Sequence, residues 1–231
     1  METIKNNLEK INEKIKKAAL KANRSPEDIK LVAVTKTATV EQVKEVISAG
    51  VKIIGENKVQ EAKEKYQVLS ADIAEIEWHL VGHLQTNKVK YAIEIFDLIH
   101  SVDSIKLAEE IDKRSLQFGI MTNILVEVNV SGEETKYGIK PEEVEYFLKE
   151  ISEFSRIKVR GLMTIAPIAE DKEEVRPYFR KLRELSEKIE NKNIKNVKMD
   201  YLSMGMTDDF EVAIEEGANM VRIGRGIFGF H

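Results

Sequence analysis

Short apolar runs rich in β-branched residues alternate with amphipathic stretches along the whole chain, and this alternation restricts the fold more than any other feature. Leu31-Val32-Ala33-Val34-Thr35 is the first run, with the composition of a strand buried on both faces. Similar runs predict strands at Lys52–Ile54, Glu77–Val81, Leu98–Val102, Ile124–Val130, Val159–Ile165, Met199–Ser203 and Met220–Ile223. Between them the spacing predicts helices over Val40–Ser48, Glu56–Leu69, Thr86–Ile93, Ser104–Leu116, Pro141–Phe154, Glu173–Ile189 and Asp208–Glu215. In the sixth connector Val175, Phe179, Leu182, Leu185 and Ile189 share one face, and charges occupy the other. Ile4, Leu8, Ile11, Ile15 and Ala18 predict a further helix ahead of the first strand. Asn23-Arg24-Ser25-Pro26 ends it, because a residue before proline disfavours the helical region. Asp103-Ser104 and Thr207-Asp208 are candidate caps.

Eight strands with seven intervening helices point to an α/β fold, a closed (β/α)8 TIM barrel. An open doubly wound sheet has the same local pattern and stays as the alternative. No linker, repeat or low-complexity tract interrupts residues 1–231, so a single domain is expected. Residues 1–22 are expected to pack on the barrel where little chain follows the eighth strand. Thirty-six basic and 40 acidic residues give a net charge of −4, with no one-sided field for nucleic acid. The absence of cysteine excludes disulfides, thiolate metal sites and thiol nucleophiles. No apolar run reaches a membrane span of about 18 residues, and the charged start lacks a secretion signal's apolar core. A soluble, cytoplasmic protein is the expectation.

In a barrel of this kind, chemistry sits where strands end and loops begin. Lys36 closes the first strand, where partial desolvation would favour imine formation with an aldehyde; a solvated flanking lysine is the plain alternative. Asn57, in Gly55-Glu56-Asn57, ends the second strand and could equally cap the next helix. His79 and His83 stand four apart, but Gly82 between them and the lack of a following Glu argue against a metal site. His79 is expected inside the barrel. Gly224-Arg225-Gly226-Ile227-Phe228-Gly229 matches a dinucleotide fingerprint in letters only, since no second strand or acidic ribose ligand follows. What remains is the capacity of Gly224 and Gly226 to bring backbone N–H groups to a phosphate, together with Ser203 at the end of strand seven. Arg222, among apolar neighbours in strand eight, either covers a helix or points inward to an acceptor. An aldehyde-bearing phosphate such as pyridoxal 5'-phosphate (PLP) suits this set.

Six segments in order carry a resemblance: Val32–Lys36, Gly55–Asn57 with Gln60-Glu61, Trp78–Lys88, Gly161–Ile165, Leu202–Met206 with Asp208-Asp209, and Val221–Gly224 with Phe228-Gly229. Through them the chain resembles the pyridoxal phosphate homeostasis protein family, which has an alanine-racemase-like barrel without that enzyme's second domain. The resemblance implies that Lys36 holds PLP as a Schiff base, with Asn57 and His79 near the ring. It also implies Ser203 at the phosphate, Arg222 facing the pyridine nitrogen, and the backbone of Gly224, Arg225 and Gly226 completing the phosphate cradle. Two positions depart from the family pattern: Lys58 stands where an aromatic residue is expected, and Arg225 where a small hydroxyl residue is common. The implied function is intracellular PLP homeostasis without appreciable catalysis, by a monomer whose partners would be PLP-dependent apoenzymes. The alternative is a PLP-dependent amino-acid racemase, which needs an acid/base group on each face of the substrate carbon. Lys36 supplies one, and neither Tyr137 nor Tyr201 has a context that supports the other. Lys136 is the one other lysine with a place near a strand end.

Overall fold

The computed structural model describes residues 3–69 and 75–229. Helix α1 (Ile4–Lys21) forms as its spacing predicts, with the Thr3 hydroxyl accepting from the Asn6 amide and Ile4, Leu8, Ile11, Ile15 and Ala18 buried on one side. Asn23 takes a left-handed φ of 55° just past the helix and turns the chain toward the first strand.

Eight parallel strands follow: β1 (Lys30–Val34), β2 (Ile53–Glu56), β3 (Glu77–Leu80), β4 (Leu98–Val102), β5 (Thr122–Glu127), β6 (Ile157–Met163), β7 (Val197–Ser203) and β8 (Met220–Ile223). Each pairs with the next, and β8 pairs back onto β1, with Val32 opposite Arg222. The sheet is therefore a closed (β/α)8 barrel with no free edge. Around it lie α2 (Val40–Ser48), α3 (Val59–Leu69), α4 (Val89–Ile95), α5 (Ile105–Phe118), α6 (Val144–Ile151), α7 (Arg176–Glu190) and α8 (Phe210–Glu215), with a single-turn helix, α9 (Arg225–Phe228), after β8.

Alternation along the strands makes two separate apolar clusters. Ala33, Ile54, Leu80, Ile99, Ile124 and Val221 join the helices in the outer layer. Val32, Val34, Ile53, Val81, Leu98, Leu125, Met163 and Met220 fill the barrel itself. Helix α1 packs on α8 and α9, as expected for the side left bare after β8. Asn7 donates to the Ile227 carbonyl, and Arg24 donates to the carbonyls of Ile214 and Ala218 at the end of α8. No helix among the described residues is long and apolar enough to cross a membrane.

Several boundaries differ from the sequence reading for local reasons. Strand β5 ends at Glu127 rather than Val130, because Val128 makes only an isolated bridge to Ile139 and the chain then folds around Asn129. The Asn129 side chain accepts from the Gly132 amide and the Ser131 hydroxyl, and donates to the carbonyls of Glu133 and Lys136. Strand β6 starts and stops two residues early, at Ile157 and Met163; just past it the Thr164 hydroxyl donates to the Val128 carbonyl. Glu56 completes β2, so α3 begins only at Val59. Ser104 caps α5 as expected, but Thr207-Asp208 does not cap α8: Thr207 accepts from the Gly226 amide, and Asp209 accepts from the Met206 amide.

One glycine sets the fit between β6 and β7. Gly161 has a φ of +146°, and a Cβ there would lie 1.9 Å from the Tyr201 carbonyl oxygen, where the β6–β7 register shifts. Replacing Gly161 by Ala therefore forces the two strands apart two residues before Met163 and Ser203. Urea unfolding should show a loss of at least ~2 kcal/mol, the range of an overpacked core with added backbone strain.

Candidate functional site

The C-terminal ends of the strands bring together most of the residues expected to carry chemistry. Lys36 is exposed in the turn after β1, next to Thr37 in a left-handed conformation at φ 67°. The strand end beneath it is fastened by a buried ion pair that the sequence reading missed. Lys65 of α3 donates to the Thr35 carbonyl at 2.6 Å and to Glu56 Oε1 at 2.7 Å, and the Thr35 hydroxyl donates to the same oxygen at 2.5 Å. Glu56 is fully buried, so its charge is held by Lys65 while Thr35 is anchored directly ahead of Lys36. A charged residue in a strand otherwise buried at every position, with a lysine nine residues later on the helix behind, was the legible signal.

Asn57 is half-buried at the mouth, following β2. Gly224 follows β8 closely against β1, where a Cβ would lie 3.1 Å from the Val34 carbonyl oxygen. Of the expected backbone cradle, the Gly226 amide is already engaged by Thr207. Arg225 is exposed and its guanidinium is ion-paired with Asp208, which holds it on the rim.

Arg222 points inward and is buried. It donates from Nη1 to Ser203 Oγ at 2.6 Å and from Nη2 to the Thr164 carbonyl at 2.8 Å. Both partners are neutral, and among the described residues no carboxylate lies within ion-pair distance of it. Burial brings its pKa down to about 10, with Glu127 and Asp209 opposing that from farther off, so it remains cationic at neutral pH. Ser203 sits in the barrel interior rather than on the loop, fully buried, its oxygen shared by Arg222 and His100 Nδ1 at 3.0 Å. His79 lies deeper still, bonded to His100 and to Glu77. His83, four residues on, has unrelated partners: its ring stacks on Tyr137 at 4.0 Å and its Nδ1 lies 3.9 Å from Asp103.

On the opposite side of the mouth, a pocket of about 160 Å³ is walled by Glu127, Asn129, Lys136, Tyr137 and Ile165 among others. Lys136 is ion-paired to Glu133 there. Glu127, also missed from sequence, is 6 % exposed, and its carboxyl is pushed up to about 7 by burial and by nearby Asp103, against the pull of Arg222. Burial raises Asp103 as well.

The family model for the alanine racemase N-terminal domain matches residues 2–231. A protein named pyridoxal phosphate homeostasis protein from Aquifex aeolicus is 48% identical over 96% of each chain. Its namesake from Escherichia coli K12 is 38% identical over 99% of this chain and 97% of the relative. The chain belongs to the pyridoxal phosphate homeostasis protein family. Among solved structures, PipY of Synechococcus elongatus with PLP bound matches at a TM-score of 0.85 and 31% identity, covering 98% of this chain and all of that one. Alanine racemase of Clostridium difficile matches at 0.77 but 19% identity, with 57% of its length covered, which shows a shared fold.

The raised carboxyl has a measurable consequence. Glu127 binds its proton more tightly folded than unfolded, so its ionisation costs stability progressively from about pH 4.5 and the full cost is present above about pH 7. Glu127→Gln should therefore stabilise the protein by about 3 kcal/mol at pH 8, with the gain vanishing at pH 4.5. Thermal melts at the two pH values test this.

Proposed function

We propose that the chain binds PLP through Lys36 and serves PLP homeostasis without turning over amino acids. The observation that carries this reading is Arg222, a buried cation on β8, one residue before Ile223 and the glycine turn, whose hydrogen-bond partners are both neutral. A guanidinium so placed fits a ring nitrogen acceptor, because it donates hydrogen bonds and keeps its own proton. PipY, solved with PLP bound, and the names of the curated relatives support the same cofactor.

Bound PLP would supply an aldehyde for a lysine amine and a ring that accepts electrons. This chain's residues supply the rest. Lys36 offers its amine at the mouth, from a strand end anchored by Glu56 and Lys65. Arg222 would meet the ring nitrogen as a donor, and Asn57 would stand near the ring at the end of β2. The turn through Gly224, Arg225 and Gly226 would receive the phosphate, the Gly226 amide then giving up its bond to Thr207, with Arg225 on the rim beside it. Ser203 and His79 act from beneath, through Arg222. A racemase would have to recruit a second acid/base group opposite Lys36; Tyr137, stacked on His83 at the pocket wall, is the residue available. The reading further places the protein in the cytoplasm as a single-domain monomer, with PLP-dependent apoenzymes as recipients.

Wild-type protein mixed with PLP should develop a visible absorbance band, and Lys36→Ala should lack it while retaining weaker, non-covalent binding in dialysis. An unchanged band in that variant overturns the role of Lys36. Loaded wild-type protein incubated with L-alanine should yield no D-alanine on a chiral column. Turnover lost in both Lys36→Ala and Tyr137→Phe would establish the racemase instead.

A further inference from the structure

Five polar side chains form a chain of four hydrogen bonds through the barrel beneath the mouth, from Arg222 to Glu77 at the start of β3. Arg222 Nη1 meets Ser203 Oγ at 2.6 Å, and Ser203 Oγ meets His100 Nδ1 at 3.0 Å. His100 Nε2 meets His79 Nδ1 at 3.0 Å, and His79 Nε2 meets Glu77 Oε2 at 3.2 Å. Ser203 and His100 are fully buried and His79 nearly so, whereas the Glu77 side chain is about half exposed at the start of β3.

Both ends of this column have a single possible role. Arginine only donates, so the Ser203 oxygen must accept from it. The Glu77 carboxylate, which the His79 hydrogen bond holds below the usual range, only accepts, so His79 must carry hydrogen on Nε2. A neutral His79 then has a bare Nδ1, which takes the Nε2 hydrogen of His100. His100 in turn has a bare Nδ1, which takes the Ser203 hydroxyl hydrogen. Each hydrogen bond then has one donor and one acceptor, and the Ser203 lone pairs face the guanidinium.

We infer that His79 and His100, both as neutral Nε2–H tautomers, are positioning residues that orient the Ser203 hydroxyl and so hold Arg222 in place. The reverse orientation needs one more proton: a cationic His79 would donate to His100, and His100 to the Ser203 oxygen. His100 itself does not take that proton, because burial holds it well below the ordinary histidine range and His79 and Arg222 add to the effect. The other charges bearing on the column are Lys30 beside Glu77, and Glu127 and Asp209 around Arg222. The second arm of Arg222 rests on the Thr164 carbonyl, so two fixed acceptors from neighbouring strands set the guanidinium plane. Its remaining donors are free for a ligand. That this ligand is PLP rests on the function proposed above; the tautomers do not.

The test begins with full-length, cofactor-free protein labelled with 15N at its four histidines. Two-bond nitrogen–proton spectra at pH 7 should show His79 and His100 as Nε2–H tautomers, with His100 unchanged down to pH 6. A bare Nε2 or a cationic ring at His100 overturns the inference. Glu77→Met, at the half-exposed end, should release His79 into a mixture of tautomers; a His79 that stays wholly Nε2–H also overturns it. With PLP, His100→Gln keeps one donor and one acceptor and should bind within about threefold of wild type, whereas His100→Leu should bind about tenfold more weakly. The Lys36-dependent visible band should form in both. Wild-type affinity in a folded His100→Leu overturns the positioning role. Failure of wild-type protein to take up PLP overturns the cofactor reading instead, and leaves the tautomers to decide the column.

Discussion

A guanidinium buried inside a closed barrel is costly unless its donors find acceptors, and much of the interior is arranged around that demand. Arg222 lies on β8 level with the apolar Val32 of β1, inside the barrel. Its donors are met by Ser203 on β7 and by the carbonyl of Thr164, the residue after β6. Ser203 in turn requires His100, and His100 requires His79. Polar side chains from β3, β4, β7 and β8 thus stand inside the barrel among the apolar ones. The lower apolar layer of Leu98, Leu125, Met220 and their neighbours keeps water away from it. In that dry setting each hydrogen bond is stronger, and each unmade one is more costly, than on the surface.

A second buried charge obeys the same logic outside the barrel. Glu56 and Lys65 lie between β2 and α3, and the pair uses its surplus hydrogen-bonding capacity on Thr35. The lysine at the mouth therefore extends from a strand end secured by an ion pair behind it, while its own side chain stays exposed. Among the described residues, the two networks have no hydrogen-bonding residue in common. One steadies the strand end that carries the amine, and the other steadies the guanidinium on the neighbouring strand β8.

The alternation of apolar runs and helical faces made the barrel legible in the sequence, because a strand covered on both sides must be apolar at nearly every position. Closure was not legible from periodicity; it rests on β8 pairing with β1. Lys36, Asn57 and Gly224 were singled out by their place after a strand, where the structure also puts them, and Arg222 by being a charge among apolar neighbours. Ser203 was found too, but its depth was not, since an inward residue at the last strand position and a loop residue one step later look alike in a sequence. His100 was missed for a related reason. In Leu98-Ile99-His100-Ser101-Val102 it reads as a polar interruption, and its partners stand 21 and 103 residues away. Glu127 was hidden because β5 seemed to continue to Val130, which placed it in mid-strand rather than at the mouth.

The mouth is electrically lopsided, and this gives a ligand its orientation. Toward β7 and β8 lie the Arg222 guanidinium and the glycine turn, with N–H donors and a fixed positive charge. Toward β4 and β5 lie Asp103 and Glu127, both raised by burial, with Asp103 adding to the cost of ionising Glu127. An anion is drawn to the first side and repelled by the second; an amine entering the pocket beside Tyr137 meets the opposite field. Because Glu127 titrates near neutrality, the second side is only partly charged there, and the contrast sharpens as the pH rises. Arg222 does not lose its charge until about pH 10, so the anion-seeking side stays constant while the other varies. A ligand with a phosphate at one end and a reactive carbon at the other would thus be aligned by the phosphate side, leaving the variable side to face whatever amine approaches.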